Sequence, residues 1–223
     1  MSFSQPKCAL RNDALSNDPA DKSAILAVDA SVFAMLSQLW SPKNATFLNR
    51  RRDSGAWIHS ISWSSFVPLA DGLVPPRDAR RMIRLHLLNP DEMQSPFGFR
   101  SLAKSDPAYN NEAIIDPYSN WRGPIWINAN FLDWIALRRY GFRAESHQLA
   151  LMLATILRRD IAQWGSMDED YSAETGDGLA PTVAQSPDGK FAGFVGWNML
   201  ALDMLQCEVS KDHCMTLAIP EIR

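Results

Sequence analysis

Between Pro124 and Gly141 the apolar residues Ile125, Ile127, Phe131, Trp134, Ile135 and Leu137 recur at roughly helical spacing. Pro124 stands where a helix begins, and Gly141 suits a C-terminal cap. Arg138 and Arg139 suit the negative end of the helix dipole. The pattern predicts a helix near 125–140. Four more stretches read the same way. Ile25, Val28, Val32, Leu36 and Leu39 share one face and predict a helix near 23–40, with Asp21 or Ser23 as its cap. A helix near 75–88 opens on Pro75-Pro76, carries Ala79, Met82, Ile83, Leu85 and Leu87, and stops at Asn89-Pro90. Leu149, Leu151, Met152, Leu153, Ile156, Leu157 and Ile161 predict one over 143–163, and the last runs near 192–207.

Strand signals are weak. Ala56 to Trp63 alternates faintly after the Asp53-Ser54-Gly55 turn and predicts one short hairpin. Phe66 to Gly72 reads as a connector, and Ser95 to Ser119 and Gly165 to Asp188 as long loops. A long loop in a compact domain is commonly functional. The organisation expected is an all-α chain. A loop and partly disordered start covers 1–22, one helical domain covers 23–209, and a polar tail covers 210–223.

Composition narrows the function classes. The chain has 223 residues, enough for one domain with a core. A net charge of −3 without a basic run argues against an electrostatic nucleic-acid or anionic-membrane partner. No apolar run is long enough to span a bilayer, and the first residues lack the apolar segment of a secretory signal. Cys8, Cys207 and Cys214 make an odd count without metal-ligand spacing, which predicts free thiols in a reducing, cytoplasmic compartment. His59, His86, His147 and His213 are scattered, and neither a nucleophile elbow nor a phosphate loop is present. No metal and no cofactor are expected. Eight Trp residues suit a carbohydrate site, and equally a core built of large side chains.

Two stretches carry candidate chemistry. Trp121, Arg122 and Trp126 lie in the turn and first turn at the mouth of the 125–140 helix. Indole faces stack on sugar CH groups, and a guanidinium fork donates to hydroxyls or a carboxylate. The other reading makes Trp126 core and Arg122 an ion-pair partner. The second stretch is Met167-Asp168-Glu169-Asp170-Tyr171. Adjacent carboxylates repel one another, which is expected to raise the pKa of Glu169.

WRGPIWINANFL resembles the central motif of glycoside hydrolase family 63 and its mannosylglycerate-hydrolase-like relatives. GSMDEDYSAETGDGLAP, FAGFVGWNMLALDML and FGFRSLAKSDPAYNN resemble further segments of that family, in the family's order. The resemblance covers most of the chain from about Leu26. It implies the (α/α)6 six-hairpin toroid, here incomplete and representing about its C-terminal half, with a small β-hairpin. It implies an inverting α-glycosidase acting on glucosides or mannosides, such as mannosylglycerate or oligosaccharides. Such enzymes need two carboxyl groups about 6.5–9.5 Å apart, one protonating the leaving oxygen and one activating water. By resemblance Glu169 is the general base. The family's acid falls in the loop ahead of the first helix. Arg11 occupies its register and cannot donate a proton at neutral pH, so Asp13 is the nearest candidate. Trp121, Arg122, Trp126, Tyr171 and Trp197 match substrate contacts. Relatives often carry His and Asn beside the Glu, where this chain has Asp168 and Asp170.

Two functional readings follow, with a third less favoured. The chain is a glycosidase of this type or a truncated form of one. Alternatively it is a remnant that binds carbohydrate without cleaving it. The third reading is a helical scaffold whose Trp residues are all core. A carbohydrate is the expected partner, together with self-association through the flank that a half-barrel exposes.

Overall fold

A computed structural model describes residues 30, 32–34, 36–114, 119–179, 193–210 and 222. The chain divides into two compact units, Met1–His59 and Ser60–Arg223.

In the first unit, residues 32–34 and 36–39 are helical, and 23–29 of the expected helix lie outside the described residues. The chain leaves the helix at Trp40 for a strand. β1 (Trp40–Ser41) pairs antiparallel with β2 (Thr46–Phe47), and β3 (Asn49–Arg50) with β4 (Trp57–Ile58). There are thus two small hairpins where the sequence predicts one. Only Trp57 and Ile58 of Ala56–Trp63 are strand, and their partner strand lies before the Asp53-Ser54-Gly55 turn. Two-residue strands are too short to show alternation, so periodicity missed β1 and β2. Their cross-strand contact is aromatic, with Trp40 edge-on to Phe47 at 5.0 Å. The guanidinium of Arg50 lies 3.6 Å from the Trp57 ring centre.

The second unit is helical. Its elements are α1 (Val67–Ala70), α2 (Pro76–Met82), α3 (Ile127–Arg139), α4 (Arg143–Trp164) and α5 (Leu200–Val209). α1 falls in what the sequence predicts as a connector. α2 continues into a wider π turn over Ile83–Leu87, which carries the expected 75–88 helix almost to its end. Trp63–Ser65 and Gly196–Met199 are 3-10 turns. Gly141 follows α3 in the left-handed region, φ 85°, as a capping glycine should.

α3 and α4 form an antiparallel pair, α5 packs on both, and α1 packs on α3. Their interface buries Trp134, Leu137, Leu149, Leu153 and Met204 completely. Burying each such side chain contributes about 1.5–3 kcal/mol. Glu208 of α5 joins all three helices. It accepts from Trp134 Nε1 at 2.9 Å, Arg138 Nη1 at 2.8 Å and Ser146 Oγ at 3.4 Å. The helical periodicity also swept in residues that face water: Leu85, Leu151 and Ile161 are 45%, 42% and 47% exposed. Cys207 is disulfide-bonded, which corrects the expectation of a free thiol there.

Candidate active site

The site residues of the second unit meet around the N-terminal end of α3. Trp126 caps that helix in an extended conformation. Just before it, the turn Ser119–Gly123 is held by Asn120, which is 2% exposed. Its Nδ2 donates to Asn110 Oδ1 and to the Glu112 carbonyl. Its Oδ1 accepts the Arg122 amide, and its carbonyl accepts Trp126 Nε1 at 2.9 Å. Gly123 passes so close to the backbone that a Cβ there would run into the Asn110 carbonyl oxygen and the Tyr109 ring. That close approach explains the glycine.

The aromatic residues form a continuous series. Trp121 stacks on Trp126 with ring centres 3.8 Å apart and planes 12° apart. Trp63 lies 5.4 Å from Trp121 on a tilted plane, and Trp197 lies 5.8 Å from Trp126. Phe194 extends the series beyond Trp197 at 4.5 Å. Trp126 is only 1% exposed, with its N–H committed to Asn120. It supports the other rings and presents no face to a ligand. Trp121 and Trp197 are half-buried, and Arg122 is exposed.

Glu169 reaches this turn from the loop after α4. Its Oε2 accepts a hydrogen bond from Ser119 Oγ at 3.1 Å. The loop is tied in by backbone: Tyr171 and Ile125 each donate an amide to the other's carbonyl. Asn198 Nδ2 donates to the Asp168 carbonyl, bringing in the turn that holds Trp197. Tyr171 is fully buried, and its hydroxyl donates to Asp160 Oδ2 at 2.9 Å. It therefore pins the loop, rather than facing outward as a substrate contact would. The carboxyls that the environment pushes up are those beside Glu169. Burial, reinforced by the Asp160 charge, raises Asp168 to about 6. Burial, reinforced by Glu169 and then Asp168, raises Asp170 to about 7. Asp170 Oδ1 is buried and finds no hydrogen-bond partner among the described residues.

The structure thus brings Trp121, Trp126, Trp197, Tyr171 and Glu169 into one neighbourhood. Asp13 and Arg11 lie outside the described residues. Among the described residues no group of His, Cys, Asp and Glu is arranged to hold a metal ion. Sequence reasoning missed Trp63, Ser119, Asn120 and Asp160. Asp160 left a signal, because it is an acid on the same helical face as the buried Ile156 and Leu157. Ser119 left none, since only the fold brings it to Glu169.

Residues 13–188 match the family model described as the mannosylglycerate hydrolase MGH1-like glycoside hydrolase domain. The chain belongs to this glycoside hydrolase family. Among its relatives, the mannosylglycerate hydrolase of Rubrobacter radiotolerans is 28% identical over 130 residues, covering 57% of this chain and 28% of that protein. The mannosyl-oligosaccharide glucosidase GCS1 of Arabidopsis thaliana is 26% identical over 155 residues, covering 65% of this chain and 17% of that protein. The family 63 mannosylglycerate hydrolase of Thermus thermophilus, solved in complex with glucose, superposes with a TM-score of 0.62 at 20% identity, covering 85% of this chain and 41% of that one. The neutral trehalase of Saccharomyces cerevisiae superposes at 0.61 and 18% identity, covering 88% of this chain and 33% of that one. The fold is that of the (α/α)6 six-hairpin glycosidases, and this chain spans well under half the length of each of these relatives.

Proposed function

We propose that this family member is part of an inverting α-glycosidase, with Glu169 as the general base. The observation that carries the proposal is the Ser119–Glu169 hydrogen bond. It ties the Glu169 carboxylate to Ser119, two residues before Trp121, whose ring stacks on Trp126. Glu169 would take a proton from the attacking water. Trp121 and Trp197 would offer ring surface to a sugar, and Arg122 would donate to its hydroxyls or to an acidic aglycone such as glycerate. Trp126 and Tyr171 would act from behind, by holding the wall and the loop. Asp13 remains the proposed acid. The substrate class is an α-glucoside or α-mannoside, mannosylglycerate or an oligosaccharide, and no nucleic acid or membrane is a proposed partner.

A carbohydrate-binding remnant is the second reading. Arg11 in the register of the acid favours it. Self-association through an open flank belongs to both readings. Val195, Met199, Leu202 and Val209, spaced along one side of α5 and the turn before it, are 57%, 46%, 54% and 84% exposed. The cytoplasm is the proposed compartment. Alkylation of intact cells followed by mass spectrometry tests it: Cys207 labelled without prior reduction supports a reducing compartment, and Cys207 labelled only after reduction contradicts it. Among the described residues no helix is long and apolar enough to cross a membrane.

The test of function is to assay the purified chain against α-glucosides and α-mannosides, glycerate conjugates included, beside Glu169→Gln. Turnover well above that variant supports the hydrolase. Sugar binding without Glu169-dependent turnover supports the remnant.

A further inference from the structure

Asp160 lies one turn before the end of α4, is 6% exposed, and has no ion-pair partner among the described residues. A buried carboxylate is costly unless hydrogen bonds compensate it. Here a single oxygen accepts two. Oδ2 takes the Asp168 amide at 2.8 Å and the Tyr171 hydroxyl at 2.9 Å. These donors stand one residue before and two residues after Glu169. The Tyr171 hydroxyl also accepts from the Asp168 amide at 3.1 Å, closing a three-membered network under the loop. On its other side the loop is paired to Ile125 and hung on Asn198.

We propose that Asp160 is the positioning residue for Glu169. By binding the Asp168 amide and the Tyr171 hydroxyl with one oxygen, it fixes the backbone on both sides of Glu169 and holds that carboxylate against Ser119. The functional part of this inference rests on the reading of Glu169 as the base; the structural part stands without it. An acid is required here rather than an apolar residue. Two donors converge on one point in a buried place, and hydrogen bonds to a charged acceptor are about twice as strong as neutral ones. The cost is accepted locally, since the Asp160 charge helps to push Asp168 up. The hydrogen bonds of Asp160 go to the Asp168 amide and the Tyr171 hydroxyl, so its influence on a ligand runs through the loop that carries Glu169.

The experiment uses the whole chain with Asp160→Ala, Asp160→Asn and Tyr171→Phe, the last two covering the case in which the first does not fold. Two magnetic-resonance readouts need no activity: hydrogen exchange of the Asp168 amide, with the Leu153 amide as a core reference, and the side-chain carboxyl resonance of Glu169. The expected result is Asp168 exchange at least about tenfold faster in Asp160→Ala with Leu153 unchanged, since a charge-assisted hydrogen bond is lost. The Glu169 resonance should move with it. Asp160→Asn, which keeps an acceptor, should restore part of both, and Tyr171→Phe should move the Glu169 resonance. An unchanged Asp168 amide or an unmoved Glu169 resonance in every folded variant overturns the proposal, whatever the chain hydrolyses. Where wild-type turnover is present, kcat should fall by about 10²-fold with KM held, because a displaced base weakens the transition state more than sugar binding. Equal kcat in wild type and Asp160→Ala overturns the catalytic consequence. Absence of wild-type turnover tells against the glycosidase reading alone.

Discussion

Ile125 and Tyr171 exchange both of their backbone hydrogen bonds, at 2.7 and 3.0 Å, across 46 residues of chain. This single antiparallel bridge joins the residue before Trp126 to the second residue after Glu169. The segment that carries the stacked indoles and the acidic loop are therefore joined backbone to backbone.

That coupling makes Gly123→Ala a sensitive probe. The added Cβ would strike the Asn110 carbonyl, backbone that has no rotamer to yield. The turn must shift, and with it Trp121 and the Ile125 bridge. Urea unfolding should show a loss of about 1–3 kcal/mol, the usual cost of forcing an atom into filled space. A loss within about 0.5 kcal/mol, as at an ordinary surface site, would contradict the packing described.

Asp170→Asn should stabilise the protein at high pH. Asp170 titrates near 4 when unfolded and at about 7 in the fold. The folded state therefore holds this proton more tightly between those values, and stability falls as pH rises through that window. Above it the cost of the buried carboxylate is complete. The variant should gain about 4 kcal/mol at pH near 8, roughly three pKa units at about 1.4 kcal/mol each, and almost nothing at pH near 4. Denaturant melts at both pH values check this, and an equal gain at both would contradict it.

Trp121→Ala should remove the stacked indole pair. Parallel rings 3.8 Å apart couple their transitions. The far-ultraviolet dichroism should therefore lose an exciton couplet that Phe131→Ala leaves in place. The loss in stability should be about 1–3 kcal/mol, from lost burial and ring contact. Persistence of the couplet would show that the two rings are not stacked in solution.

The helices were largely legible and the hairpins were not. Ile127, Trp134 and Leu137 repeat at the helical period and are buried, so periodicity found α3 almost to its ends. Trp40 and Phe47 pair across strands of two residues, too short to carry a period. The motif residues Trp121 and Trp126 were legible as a pair, yet their roles differ by burial. Only tertiary packing decides that Trp126 is sealed at 1% exposure while Trp121 is half-buried. The resemblance implies a substrate contact at Tyr171. Its hydroxyl instead reaches inward to Asp160, a partner eleven residues earlier on another element. The three adjacent carboxyls point to like-charge repulsion acting on Glu169, whereas the raised groups are Asp168 and Asp170. Burial of Asp168 and Asp170, which sets where the shift falls, is a property of the fold.

Glu208→Gln tests the helical core apart from the site. One carboxylate receives Trp134, Arg138 and Ser146, and replacing it leaves the Arg138 guanidinium, 19% exposed at its side chain, without its acid. The expected loss is about 1–3 kcal/mol. Binding of any sugar at the aromatic wall should persist, which calorimetry on the folded variant can check.

The most direct test of Glu169 as a general base uses a substrate whose leaving group needs no acid. An α-glucosyl or α-mannosyl fluoride releases fluoride with little proton assistance, so a site holding only its base can still turn it over. Fluoride release should depend on Glu169 and fall by about 10²-fold or more in Glu169→Gln, within the range of general-base catalysis. Equal rates of fluoride release by wild type and Glu169→Gln, with both proteins folded, would contradict that role.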